Sequence, residues 1–83
     1  MSKYEIEFQS RALKELKATP QQDVQRILGK IQKLENGMHG DIKKLTNFTP
    51  EYRLRIGDYR VLFELNDTRI IIHRIKHRKK VYQ

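Results

Sequence analysis

Arg53, Arg55 and Arg60, with a basic run from Lys76 to Lys80 that leads to Tyr82, are the residues whose types and spacing could do chemistry. An arginine presents a fixed fork of donors that matches paired phosphate oxygens better than a lysine ammonium does, so the three suit a phosphodiester clamp. The stretch Lys76-His77-Arg78-Lys79-Lys80-Val81-Tyr82 adds a histidine, which exchanges a proton near neutral pH, and a tyrosine, which can stack on an unpaired base or bond a phosphate. The bland alternative is an ordinary solvated face whose arginines reach Glu64 or Asp58, followed by a loosely electrostatic tail.

Other catalytic patterns are missing. His39, His73 and His77 share no metal-ligand spacing, and without cysteine or a nearby acidic cluster they make a poor zinc or two-metal site. The chain has no glycine-rich phosphate loop and no nucleophile elbow. No metal and no cofactor is therefore expected. His39, in a glycine-flanked loop, reads as exposed, and His73, in an apolar stretch, as a half-buried structural residue.

Composition points the same way. Eighteen Lys and Arg against ten Asp and Glu give a formal charge of +8 in 83 residues, with an isoelectric point near 10.0, so the natural partner is a polyanion. The charge is denser in the second part: residues 1–50 carry nine basic and six acidic side chains, residues 51–83 nine and four. The length suits one domain, residues 1–83, and a hydrophobic content of 37% suffices for a small core. With no cysteine, no disulfide staples it. The N-terminus lacks the apolar run of a signal peptide, and no stretch is long and apolar enough to span a bilayer, which reads as a cytoplasmic protein with no membrane partner.

Several elements must position these side chains. Tyr4, Ile6 and Phe8 alternate with Glu5 and Glu7, the period of a half-buried strand. Ser10 can cap a short helix in which Ala12, Leu13 and Leu16 share a face. Thr19, Pro20 and Gln22 resemble a capping box that opens a second helix, in which Val24, Ile27, Leu28, Ile31 and Leu34 recur at helical spacing until Asn36-Gly37 stops it. Residues 38–51 read as a loop, with at most a turn of helix, passing over an edge of the sheet. From Tyr52 the period becomes two: a hairpin through Gly57-Asp58, which suits a type II′ turn, then a turn at Asn66-Asp67-Thr68 into a buried strand from Arg69 to Ile75. The expectation is an α+β domain with two N-terminal helices packed on a small, mainly antiparallel sheet.

A two-residue turn fixes the pairing of the hairpin. Ile56 then faces Tyr59, Leu54 faces Val61 and Tyr52 faces Phe63, on the side that packs against the helices. On the other side Arg55 lies directly opposite Arg60, with Arg53 opposite Leu62. Like charges placed so are destabilising unless an anion sits between them.

The sequence Tyr52-Arg53-Leu54-Arg55-Ile56-Gly57-Asp58-Tyr59-Arg60-Val61-Leu62-Phe63-Glu64-Leu65, followed by His77-Arg78-Lys79-Lys80-Val81-Tyr82, resembles the RelE toxins of the broader RelE and ParE superfamily. The order of elements matches over essentially the whole chain. What the resemblance implies is a toxin encoded beside its antitoxin, which cleaves messenger RNA in the ribosomal A site and so inhibits translation. A RelB-like antitoxin would neutralise it by wrapping around it, with a helix or an added strand in an apolar groove. In such enzymes basic residues hold the scissile phosphate and promote attack by the ribose 2′-hydroxyl, leaving a cyclic phosphate.

Position by position, Arg53 and Arg55 fall where the family's basic pair lies, and Arg60, Arg78 and Tyr82 on its other catalytic and base-stacking positions. An arginine, with a pKa above about 12, is a poor general base. Arg53 and Arg55 are thus expected to clamp substrate and stabilise charge, and Arg60 to stabilise the developing oxyanion. His77 is expected to act as general acid or base, and Tyr82 to stack or assist. Lys76, Lys79 and Lys80 would bind RNA together with Arg53. Two other readings stand beside this one. One is a ParE-like toxin that inhibits DNA gyrase without nuclease activity, the other a bare nucleic-acid-binding module.

Overall fold

The computed structural model describes residues 3–80. Their order is β1 (Glu5–Phe8), α1 (Ser10–Lys17), α2 (Gln21–Gln32), β2 (Asp41–Lys44), β3 (Tyr52–Ile56), β4 (Tyr59–Asn66) and β5 (Arg69–His77), with short 3-10 turns at Lys33–Asn36 and Arg78–Lys80. The five strands form one sheet in the order β1-β5-β4-β3-β2. β1 runs parallel to β5, and the other pairs are antiparallel. Two helices on a mixed, mainly antiparallel sheet make the α+β architecture that the sequence implies.

The apolar periods build the core. Ile27 and Ile31 lie one turn apart on α2 and are fully or almost fully buried, as are Leu34 and, on α1, Ala12. They meet Leu54, Ile56, Val61, Phe63, Ile70, Ile72 and Ile75 from one face of the sheet. Burying an aliphatic or aromatic side chain of this size contributes about 1.5–3 kcal/mol, so this face fixes where both helices sit. Tyr52 stacks on Phe63 at 5.4 Å and extends the apolar layer towards β2.

Several local expectations are corrected. Residues 38–51 are not one loop: Asp41–Lys44 pair with β3 and make β2, the edge of the sheet. The segment that follows, through a cis Thr49-Pro50 bond, returns on the face away from the helices, where Thr49 and Pro50 border a cavity with His73 and Arg74. Ser10 is the first residue of α1 rather than its cap, and the N-cap position, Gln9, makes no side-chain bond. Thr19 forms no capping box either, because its hydroxyl donates back to the Glu15 carbonyl at 2.7 Å. Leu13 does not share the buried face of Ala12 and is 43% exposed. β5 runs two residues beyond Ile75, to His77. His73 is the extra residue of a bulge, since Leu62 faces Arg74 while Phe63 faces Ile72.

Candidate nucleic-acid interface

The site starts at a turn. Gly57 takes φ +57 in the two-residue loop between β3 and β4, a backbone conformation that side chains with a Cβ resist, and a Cβ there would meet Arg26 Nη2 at 2.7 Å. Such a tight loop sets the register, and the pairs are Ile56 with Tyr59, Arg55 with Arg60, Leu54 with Val61, Arg53 with Leu62 and Tyr52 with Phe63. Side chains alternate across a sheet, so the arginines face away from the helices.

The neighbouring strands extend the pattern into two rows. Asp41, Arg55, Arg60 and Lys76 stand directly opposite one another across β2, β3, β4 and β5. The next row is Lys43, Arg53, Leu62 and Arg74. Facing side chains in such rows have Cβ atoms about 5 Å apart, close enough for adjacent guanidinium groups to share one anion.

Each basic residue is held differently. Arg60 is half-buried, and its Nη1 donates to the carbonyls of Gly57 and Tyr59, both at 3.0 Å, which pins the guanidinium on the hairpin backbone. Arg55 is exposed. Arg53 Nη2 reaches Asp41 Oδ1 at 3.3 Å, and its side chain is only 16% exposed. Its Nε is buried and has no hydrogen-bond partner among the described residues. Lys76 is half-buried and Lys79 exposed. The Arg78 backbone N–H donates to the Asp58 carbonyl at 2.7 Å, and its guanidinium lies 3.8 Å from the Asp58 carboxylate. The root of the basic run is thereby tied to the hairpin turn. Lys80 closes that 3-10 turn. Tyr82 lies outside the described residues.

His77 stands apart from the arginines. It pairs with Tyr59 and packs edge-on against that ring at 5.6 Å and 83°, on the helix side. Its Nδ1 accepts the Lys79 N–H at 3.4 Å. The Tyr59 hydroxyl donates to Asp23 Oδ2 at 3.4 Å. Burial first, and the Asp23 carboxylate next, raise the Tyr59 pKa above its ordinary value, so the phenol stays neutral. The structure thus brings Arg53, Arg55, Arg60 and Lys76 together, sets Arg78 beside the turn, and turns His77 to the other face.

Further residues complete the arrangement. Lys43 adds a cation to the second row, and a four-residue strand with Ile42 as its apolar member gave little periodic signal. Arg74 is taken by Glu15 of α1, with Nε 3.1 Å from both carboxylate oxygens and Nη2 2.8 Å from Oε2. Glu15 Oε1 also accepts the Ile75 N–H at 2.9 Å, just beyond the stretch where β1 pairs with β5. It thereby covers an otherwise open strand edge. Burial alone would raise the Glu15 pKa, but the Arg74 hydrogen bonds, the Ile75 N–H and the charges of Arg74 and Arg11 outweigh it, holding the carboxyl below its usual 4.5. Glu64, which the sequence offered to the arginines, bonds His73 Nε2 at 2.7 Å instead. Among the described residues, no three His, Asp or Glu side chains group to hold a metal ion. No helix there is long and apolar enough to cross a membrane.

A family model described as "ParE toxin of type II toxin-antitoxin system, parDE" matches residues 6–82. Toxin RelE3 of Methanocaldococcus jannaschii is 35% identical over 80 residues, which cover 90% of this chain and 91% of the relative. The RelB-RelE antitoxin-toxin complex from Methanococcus jannaschii contains a chain that superposes with a TM-score of 0.78 at 32% identity, covering 92% of this chain and 94% of that one. The archaeal RelE-RelB complex from Pyrococcus horikoshii OT3 gives 0.78 at 29%, over 95% and 99%. Matched by the family model over almost its whole length and by RelE toxins in both sequence and fold, the chain belongs to the RelE and ParE family of type II toxin-antitoxin toxins.

Proposed function

We propose that this toxin is a metal-independent, ribosome-dependent endoribonuclease that cleaves messenger RNA in the A site and so arrests translation, held in check in the cytoplasm by a RelB-like antitoxin. The observation that carries the reading is the row Arg55, Arg60 and Lys76, three cations directly opposite one another on a face that the helices leave open. A phosphodiester placed there offsets the repulsion between them, and charge that develops on its oxygens meets Arg60, whose fork is already fixed on the hairpin.

In this reaction the ribose 2′-oxygen bonds to phosphorus, the bond to the 5′-oxygen breaks, and a 2′,3′-cyclic phosphate and a 5′-hydroxyl result. The 2′-hydroxyl proton is removed and another delivered to the leaving oxygen. Arg55 and Arg60 clamp and stabilise charge, Arg78 adds a contact from the turn, and Tyr82 stacks on a base. Arg53, Lys76, Lys79 and Lys80 hold the flanking strand. His77 is the proton carrier in this scheme, and it would meet a substrate that wraps the end of β5 rather than one lying flat on the arginine face.

Primer extension on a reporter message in a translating extract tests the scheme. Codon-phased cuts that require translation, and that vanish with Arg60→Ala and Tyr82→Ala, are the expected result. His77→Ala isolates the proton step: cleavage that persists removes His77 from the mechanism while leaving the clamp. A second reading, a ParE-like toxin that inhibits gyrase without cutting RNA, is favoured by the family model's own description and by the position of His77 away from the arginines. Intact message with arrested growth would select it.

A further inference from the structure

We propose that Asp41 is a built-in stand-in for a backbone phosphate: its carboxylate occupies the Arg53 fork beside the Arg55–Arg60 clamp, and RNA must displace it. This rests on the RNA-cleaving reading of the same face. Asp41 is the single acidic side chain in the two rows, at the position opposite Arg55, and its carboxylate turns diagonally to Arg53. The acid is 59% exposed and the arginine 16%, so the partner free to leave is the aspartate. Among the described residues it meets one nitrogen of the fork, and the buried Arg53 Nε has no acceptor. A phosphate, with more oxygens and a wider span, is the anion such a fork matches better.

The carboxylate also has a reason to be there. Arg55 and Arg60 face each other, an arrangement that destabilises an empty sheet. Asp41, in register with Arg55 and bonded to Arg53, supplies a counter-charge to that row and competes with a phosphate for it. Exposed pairs of this kind shift an equilibrium by about 1.5- to 5-fold, so the competition tunes affinity rather than abolishing binding.

Binding of a short 2′-O-methyl RNA oligonucleotide, which cannot be cut, read by fluorescence anisotropy at low salt, tests the idea alongside thermal melting. Asp41→Asn should bind about two- to fivefold tighter while melting at a lower temperature. Asp67→Asn, in the turn between β4 and β5, changes the same formal charge away from the rows and should do neither. In an Arg53→Ala background the gain from Asp41→Asn should disappear. Equal affinities for Asp41→Asn and Asp67→Asn would overturn the proposal and leave the face as an RNA site. Weaker binding with a lower melting temperature would make Asp41 merely structural. No binding by the unaltered chain or by Asp41→Asn would overturn this inference, whereas the reading beneath it stands or falls on codon-phased cleavage in the translating extract.

Discussion

Glu15 is gripped by the Arg74 fork and the Ile75 N–H at once, and what it contributes depends on its charge. Its folded pKa is depressed below the ordinary 4.5, so its stabilising effect is fully present above the unfolded pKa. That effect is lost as pH falls through the lower folded value. Glu15→Gln should therefore destabilise by about 1–3 kcal/mol at neutral pH, since charged hydrogen bonds are replaced by weaker or unmade ones. The variant should also show a flatter loss of stability below pH 4.5 than the unaltered chain. Urea melts at a series of pH values check both, and parallel pH curves would show that Glu15 does not titrate with folding. At this scale the sequence was only partly legible. Arg53, Arg55 and Arg60 were placed on one face, as the register has them, because alternation along paired strands is enough, whereas Lys76, which stands opposite Arg60, was read as the start of a tail. His77 was grouped with them because the last strand was ended at Ile75. Yet Ile75 is in the core, and the residue two further along the same strand must share its face. The Glu15–Arg74 contact spans 59 positions, and nothing local announces it.

The β3–β4 hairpin is the element whose geometry was readable to the residue, and it is also the one a small change would disturb most. Gly57→Ala would force a Cβ into φ +57, a strain of about 1–2 kcal/mol. Arg26, whose flexible end is the atom the new Cβ would meet, can swing aside. The expected outcome is a loss of about 1–2 kcal/mol in chemical denaturation that Arg26→Ala does not restore, with Gly57→Asn losing less because asparagine tolerates positive φ. Full rescue by Arg26→Ala would make the clash, not the backbone, the cause. β2 was hidden for the opposite reason. Asp-Ile-Lys-Lys carries one apolar side chain, as an edge strand that needs only one covered face can. The helix caps were misplaced because hydroxyl residues near a helix start compete for several backbone partners. Thr19 satisfied the end of α1 instead of opening α2.

At the scale of the whole molecule, +8 of formal charge is not spread evenly, and the two rows gather a compact set of cations on one face, where the proposed function would seat a single strand of RNA. If four of them contact phosphates, the logarithm of RNA affinity should fall against the logarithm of salt with a slope of about −3. Arg55→Ala should reduce that slope by about 0.7. A salt series on the uncleavable oligonucleotide measures it, and a slope near zero would remove phosphate contact from the account. The long-range order of the sheet carries a different lesson. β1 is made first but pairs only with β5, Glu5 with Arg69 through Phe8 with Ile72. Closing so long a stretch of chain is slow, and it must wait for its far end to be synthesised. Lys76 arrives on that same last strand, and Arg78, whose N–H is anchored on the Asp58 carbonyl, directly after it. A nascent chain therefore has neither a closed sheet nor a complete basic face until β5 is available. The order in which the strands are made thus holds back the assembly of that face until the far end of the sheet is in place.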